Sequence, residues 1–187
     1  MSSHHIVREK QEPALYIHSL GNFSEEYLGQ LLEWSPTVIV AASEYEKVIS
    51  LGLKIDVVIG DAKPEQWQEN TKWLNLAQNN LATVTQYLVQ EEYPAVNIIS
   101  QESKFDDLVD WLPRINVVLF TETTKSYPIK QGFSIWKPAG TVFKIDIINY
   151  FETDNLKQAD NGDFVVIKDG FVSFVFTTDY MFLSELL

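Results

Sequence analysis

The hydrophobic positions of the first 120 residues alternate between short continuous apolar runs and longer amphipathic stretches. Continuous runs of this kind are typical of parallel strands that are buried on both faces. Between them, apolar side chains recur at helical spacing. The alternation predicts βαβ units with right-handed crossovers. The predicted strands lie at residues 15–17, 37–42, 55–59, 96–100 and 115–120.

Two helices are predicted from capping-box spacing, in which an N-cap side chain and an acid three residues later satisfy free backbone N–H groups. Asn22 and Glu25 have this spacing ahead of the first helix. Ser43 and Glu46 have it ahead of a shorter helix that ends near Gly52, since glycine commonly follows a helix.

Two further helices are predicted between the later strands. Pro64 suits the first turn of a helix that carries Trp67, Trp73, Leu74 and Leu76 and stops near Asn79 and Asn80. Another helix is predicted over about residues 104–112. Residues 83–92 fit a helix or a strand equally well.

Helical periodicity disappears after Phe120, where short runs of β-branched and aromatic residues follow one another. These runs predict a small all-β domain. Asp169 and Gly170 divide the last run, and this dipeptide predicts a type I′ hairpin turn. The fold class is therefore an α/β amino-terminal domain with a parallel sheet, followed by a small all-β domain. The predicted divisions are a flexible tail at 1–12, the α/β domain at 13–122 and the all-β domain at 123–187.

The charge and composition of the chain limit its function. A formal charge of −12 opposes binding to nucleic acid and to anionic membrane surfaces. The absence of cysteine excludes disulfides, thiolate zinc sites and a cysteine nucleophile. No apolar stretch has the length of a signal peptide or a membrane span, so we expect a soluble, cytoplasmic protein. We interpret His4 and His5 as solvated side chains of the tail.

Gly60 and Asp61 end the third predicted strand. Open α/β sheets bind ligands at the carboxyl ends of their strands, so Asp61 is a candidate ligand-facing residue. An aspartate ahead of Pro64 is equally typical of a turn or a helix cap, and both interpretations remain open. His18 lies at a strand end with no acidic partner evident in the sequence, and we interpret it as structural.

Residues 37–61 resemble the thiamine pyrophosphokinases, which transfer pyrophosphate from ATP to the hydroxyethyl group of thiamine. In that family a strand ends in Ala-Asp-Gly-Gly, and a later Leu-Gly-Ile-Lys-Pro-Asp precedes a strand that ends in Gly-Asp-x-Asp-Ser. Residues 51–61 here read LGLKIDVVIGD. The resemblance implies that the second domain is a β-sandwich of the thiamine-binding type, and that the protein is a homodimer.

The resemblance also implies the residues of a site. By correspondence with the family motifs, Asp61 would be catalytic, and Asp61 and Asp106 would bind metal. The ligand-binding residues would be Ser43, Lys63, Asn80, Lys104 and Asn161.

Most of the family's acidic residues are replaced in this chain. The first falls on Ala42 or Ser43, Lys63 takes the place of the second aspartate after Gly60, and another falls near Asn80. Pyrophosphoryl transfer needs Mg²⁺, held by several carboxylates, to neutralise the developing charge. The replacements therefore predict weak or no catalysis, with Mg²⁺ and ATP as cofactors only if activity survives.

Three functions remain open from the sequence. The first is a pyrophosphokinase-like protein with little activity that binds thiamine, thiamine diphosphate or a nucleotide. The second is an active pyrophosphokinase for another hydroxyalkyl substrate, with a rearranged metal site of Glu44, Glu46, Asp61 and Asp106. The third is an unrelated α/β interaction module.

Overall fold

The computed structural model describes residues 10, 12–62, 65, 67–75, 80–145 and 150–187, with the side chain of Asn80 outside the description. His4, His5 and Lys63 therefore lie outside the described residues. The chain divides into two compact units between Glu122 and Thr123.

The first unit contains six parallel strands in the order β6-β5-β1-β2-β3-β4. The chain starts at β1, builds outward to β4, and then crosses back to place β5 on the other side of β1. The point at which the strand order reverses therefore lies between β1 and β5. The strands are β1 (Ala14–Ile17), β2 (Val38–Ala41), β3 (Val57–Gly60), β4 (Lys72–Asn75), β5 (Ala95–Ile99) and β6 (Asn116–Phe120).

Three helices accompany these strands: α1 (Glu25–Leu32), α2 (Tyr45–Ser50) and α3 (Asn80–Gln90). A 3₁₀ turn, Ala42–Glu44, leads into α2. Gly52 adopts φ +73° just after α2, and its N–H donates to Ile49 O at 2.9 Å, so the predicted helix end is confirmed. Within the described part of the chain, no helix is long and apolar enough to cross a membrane.

The helix predicted from Pro64 towards Asn79 and Asn80 is wrong over residues 72–75. Residues 72–75 form β4, which pairs in parallel with β3 and places Val58 opposite Trp73. The N–H of Lys72 donates to Asp56 O at 2.8 Å. Since β3 would otherwise leave one row of backbone groups unpaired, sheet pairing overrides the helical spacing.

The helix predicted at 104–112 is also wrong. The segment forms turns and a 3₁₀ helix, Val109–Trp111. The N–H of Leu108 donates to Phe105 O at 2.8 Å, and the N–H of Trp111 donates to Leu108 O at 2.9 Å. Phe105 and Leu108 are both buried, and their separation of three residues matches the 3₁₀ period.

The second unit contains two antiparallel sheets, in the orders β11-β12-β9-β14-β7 and β10-β13-β8. Both sheets contribute to one apolar core, in which the rings of Phe143 and Phe174 meet edge to face at 6.1 Å. This arrangement is a β-sandwich. The strands are β7 (Thr124–Ile129), β8 (Ser134–Lys137), β9 (Val142–Ile145), β10 (Phe151–Thr153), β11 (Leu156–Gln158), β12 (Phe164–Val166), β13 (Gly170–Phe176) and β14 (Met181–Leu186).

The hairpin predicted at Asp169 and Gly170 is wrong. The strands on either side, β12 and β13, pair with other strands in different sheets. The side chain of Asn155 explains the crossing, because it accepts from Lys168 N at 3.1 Å and donates to Lys168 O at 2.8 Å. These bonds end the pairing of β12 and direct the chain to the other sheet.

Candidate functional site

A cavity of about 410 Å³ lies where the strand order reverses, at the carboxyl ends of β1 and β5. We call it the carboxyl-edge cavity. His18 and Ser19 follow β1, Ser100 and Gln101 follow β5, and Leu81 belongs to α3. Ligands of open α/β sheets bind in this position. The other lining residues are Glu102, Lys104, Asp106 and Asp107.

Backbone hydrogen bonds hold the two strand ends of the cavity together. The N–H groups of His18 and Ser19 both donate to Ile99 O, at 2.9 and 3.1 Å. The N–H of Ser100 donates to Phe120 O at 2.9 Å. The first residues after β1 and β5 are therefore fixed by the sheet itself.

His18 is the cavity residue with the best-defined environment. Its Nδ1 lies 3.0 Å from the hydroxyl of Tyr16, which is completely buried. Burial raises the pKa of Tyr16, so its hydroxyl stays protonated. When the hydroxyl donates to an unprotonated Nδ1, the ring carries its proton on Nε2.

Two opposing effects act on the charge of His18. Burial lowers the pKa of His18, and the carboxylate of Glu44 raises it by a smaller amount. The net shift is downward from 6.5. The ring is therefore predominantly neutral at pH 7.

The rest of the cavity rim is predominantly acidic. Lys104 Nζ lies 2.7 Å from a carboxylate oxygen of Glu102, which neutralises both charges. Asp106 and Asp107 contribute two further carboxylates. The structure thus brings Lys104 and Asp106 to one cavity, and the described side chains that line this cavity carry a net negative charge.

Asp61 is placed elsewhere on the same edge of the sheet. It follows β3, is exposed to solvent, and does not line the carboxyl-edge cavity. The preceding Gly60 has a packing role, because a Cβ atom there would lie 2.5 Å from Cβ of Ala42. The glycine of the Gly60-Asp61 pair is therefore required by the close approach of β3 to the turn after β2.

The remaining candidates of the first unit are only partly described. Ser43 is exposed in the turn after β2. Lys63 lies outside the described residues, and Asn80 begins α3 but its side chain is not described. Leu81, the next residue, lines the carboxyl-edge cavity, so the start of α3 borders it.

Asn161 lies in the second unit, at the tip of the hairpin between β11 and β12. Its side-chain amide donates to a carboxylate oxygen of Asp163 at 2.8 Å. Its carbonyl oxygen accepts from Asp163 N at 3.1 Å. These two bonds stabilise the turn between β11 and β12 in which Asn161 lies.

The described part of the chain contains no group of three or more His, Asp or Glu side chains placed to hold a metal ion. Glu44, a member of the rearranged site considered from the sequence, instead accepts from Leu20 N at 3.1 Å. Mg²⁺ that enters with a nucleotide needs only one or two carboxylates beside the phosphates, and Asp106 is the predicted metal ligand that lines the cavity.

The sequence did not show which groups surround His18, because the fold brings them to it. Glu44 is 26 positions away, yet its charge acts on His18. Tyr16 is two residues away, and its role follows from burial that only the complete sheet creates. The one usable signal was the position of His18 at the end of β1, and the strand order decides that this position borders the cavity.

Comparison with known proteins gives a consistent answer at the level of fold. No protein-family model matches the chain, and no curated protein matches it in sequence. Thiamin pyrophosphokinase from yeast is similar in structure, with a TM-score of 0.68, 10% identity, and coverage of 97% of this chain and 88% of the yeast chain.

Two bacterial structures agree with the yeast comparison. Thiamine pyrophosphokinase from Bacillus subtilis has a TM-score of 0.66 at 11% identity, covering 94% of this chain and 99% of that one. Thiamin pyrophosphokinase from Geobacillus thermodenitrificans has a TM-score of 0.68 at 10% identity, covering 94% and 98%. The family resemblance is thereby confirmed at the level of fold, and the chain has the fold of the thiamine pyrophosphokinases.

Proposed function

We propose that this chain is a thiamine pyrophosphokinase-like protein that binds a small molecule in the carboxyl-edge cavity and transfers pyrophosphate weakly or not at all. The observation that carries the proposal is the composition of the cavity. A neutral histidine and a predominantly acidic rim line the place where this class of sheet binds ligands. The described carboxylates are not grouped as metal ligands.

The charge of the cavity favours thiamine over its phosphorylated derivatives. Thiamine carries a positive thiazolium ring, which the carboxylates of Asp106 and Asp107 attract. A diphosphate or a nucleotide brings several negative charges, which the same carboxylates repel. Lys104 offers one compensating cation, and it is already paired with Glu102. We therefore place thiamine first among the ligands, ahead of thiamine diphosphate and nucleotides.

Weak catalysis follows from the same distribution of charge. Removing one preorganised group that stabilises transition-state charge lowers a rate by about a hundred- to a thousandfold. Several of the family's acidic positions carry other residues here, including Ala42 or Ser43 and Lys63. Mg²⁺ and ATP remain the cofactors that residual activity would use. The homodimer and the cytoplasmic location belong to this proposal as well.

A thermal-unfolding screen tests the binding proposal. Thiamine, thiamine diphosphate and ATP are added separately, each with and without Mg²⁺. A ligand at about a hundred times its dissociation constant stabilises the folded state by about 2.7 kcal/mol, or several degrees in Tm. We expect the largest increase with thiamine. Asp106→Asn should reduce that increase, while Asp169→Asn, an exposed change in the second unit, should leave it unchanged.

Other results would contradict the proposal in distinguishable ways. Absence of any Tm increase at millimolar ligand would exclude the binding role. Rapid Mg²⁺-dependent release of AMP from ATP and thiamine would exclude the weak-catalysis part alone. Light scattering during size-exclusion chromatography separates the expected homodimer from a monomer.

A further inference from the structure

A second cavity, of about 580 Å³, lies at the amino ends of the parallel strands, opposite the carboxyl-edge cavity. We call it the amino-edge cavity. Val38, Val57 and Lys72, which begin β2, β3 and β4, form one side of it. Leu32 and Leu53 contribute apolar surface from the segments that precede β2 and β3. Its volume is in the range of small-molecule sites, and it has no part in the function proposed above.

The carboxylate that Asp56 contributes to this cavity is already satisfied. Asp56 accepts from Val38 N at 3.0 Å through one oxygen and from Lys54 Nζ at 2.7 Å through the other. Asp56 therefore needs no cation from a ligand, and Lys54 contributes little uncompensated charge.

Lys72 is the uncompensated charge of the amino-edge cavity. Its Nζ lies 4.5 Å from the ring centroid of Tyr87, and no carboxylate of the described residues lies within ion-pair distance of it. Glu91 is close enough to feel its charge but is paired with Lys10 at 2.9 Å. Lys72 is therefore an exposed ammonium at the cavity that can accept a negative charge from a ligand.

The wall of the amino-edge cavity contains a residue in an unfavourable backbone conformation. Ser35 adopts φ +51° shortly after α1, in the region that favours glycine. The adjacent Trp34 is 69% exposed. Leu51, two residues before the lining residue Leu53, is 40% exposed. Exposed apolar side chains thus flank the cavity on two segments.

We propose that the amino-edge cavity binds a small organic monocarboxylate with an aromatic or aliphatic body. The carboxylate meets Lys72, and the apolar body lies against Leu32, Pro36 and Leu53. One unpaired ammonium matches one negative charge. A phosphorylated ligand would bring at least two charges to a cavity whose described residues offer one free cation.

The test uses phenylacetate as the probe and phenylacetamide as its uncharged match. Titration calorimetry with the full chain should show saturable binding of phenylacetate. Phenylacetamide should bind with an affinity lower by about tenfold or more. Lys72→Met keeps the length of the side chain and removes its charge. It should weaken phenylacetate binding by about tenfold or more and leave phenylacetamide binding unchanged.

The matched control is Lys144→Met, which makes the same change in net charge at an exposed position of the second unit. It should bind phenylacetate as the unmodified chain does. Leu53→Trp, which fills the cavity without changing charge, should reduce the binding of both probes. Circular dichroism melting checks that each variant is folded.

Changes in the backbone amide chemical shifts on adding phenylacetate locate the bound probe. We expect these changes at residues 32–38, 53–57 and Lys72. The proposal is overturned if phenylacetate does not bind saturably, if folded Lys72→Met binds it as well as Lys144→Met does, or if the shifts lie at His18 and Ser100. The function proposed for the carboxyl-edge cavity is tested separately by thiamine, so the two can fail independently.

Discussion

The hydroxyl of Tyr16 lies 3.0 Å from Nδ1 of His18, and this contact joins the buried interior of β1 to the carboxyl-edge cavity. Since the ring of His18 is also partly buried and close to Glu44, its protonation is coupled to the fold. The stability of the protein should therefore respond to pH in a direction that the structure determines.

The first prediction concerns pH and stability. Burial lowers the folded-state pKa of His18 from 6.5, so between the two pKa values the unfolded chain binds more protons than the folded chain. The free energy of unfolding should therefore fall as the pH decreases through about 6.5 towards the folded pKa. His18→Asn should reduce this dependence. Urea unfolding between about pH 7.5 and about pH 5.5 measures it.

A control isolates the contribution of Glu44. Glu44→Gln removes the negative charge that raises the pKa of His18, so that pKa should fall further. NMR titration of the His18 ring, assigned by its loss in His18→Asn, gives the value. A rise in the pKa would show that the carboxylate does not act on the ring.

The second prediction concerns the contact between Gly60 and Ala42. A Cβ at Gly60 would lie 2.5 Å from Cβ of Ala42, so Gly60→Ala should destabilise the protein by about 1–3 kcal/mol. Adding Ala42→Gly removes the clashing atom and should restore most of the loss. Urea unfolding of the two single variants and the double variant measures the coupling.

The matched control for Gly60 is Gly29, which lies on an exposed face of α1, where an added Cβ would have no atom within 4 Å. Gly29→Ala should stabilise the protein by about 0.5–1 kcal/mol, because alanine favours a helix over glycine. Equal losses at both positions would contradict the steric explanation.

The third prediction concerns an ion pair between the two sheets of the sandwich. Lys137 on β8 pairs with Glu185 on β14, and the side chains are only 20% and 12% exposed. Tyr127 also donates to Glu185, at 2.5 Å. Glu185→Met should cost about 2 kcal/mol, because it leaves an ammonium and a hydroxyl without their acceptor.

The double variant Lys137→Met with Glu185→Met should recover at least half of that loss, since it removes the unpaired charge. Lys157→Met, at an exposed position of β11, is the control and should change stability by less than about 0.5 kcal/mol. A double variant less stable than Glu185→Met alone would contradict this account.

The fourth prediction concerns the selectivity of the carboxyl-edge cavity. Lys104→Met removes an ammonium from its rim, so affinity for thiamine should rise and affinity for thiamine diphosphate should fall, each by roughly two- to fivefold at low salt. Titration calorimetry with both ligands measures the two changes, and Lys157→Met is again the control. Equal shifts for both ligands would contradict electrostatic selection.

The regular part of the fold could be predicted from the sequence. Continuous apolar runs identified β1, β2, β3, β5 and β6, because burial on both faces leaves a direct mark on the side chains. The short helix before Gly52 was equally predictable, since a glycine at positive φ follows it. These features leave their pattern in short stretches of the sequence.

The elements predicted wrongly are those that distant partners determine. Trp73 has the spacing of a helix but lies in β4, because β3 offers it unpaired backbone groups. Asp169 and Gly170 have the composition of a hairpin, yet Asn155 and the two sheets separate the strands on either side. Neither partner can be identified from local sequence.

The candidate site was predictable in its location and only partly in its members. The carboxyl edge of the sheet, Lys104 and Asp106 were identified, and the structure places both residues in one cavity. Asp61 lies outside that cavity, and His18 lies within it. The sequence did not show that the cavity would contain His18 and not Asp61, because the strand order that puts β1 beside β5 is a property of the complete chain.

The close approach of Gly60 to Ala42 has a consequence for how such sequences are compared. Because packing alone requires the glycine of this Gly-Asp pair, a sequence can keep it whether or not the protein transfers pyrophosphate. The dipeptide by itself is therefore evidence of the fold and not of the reaction.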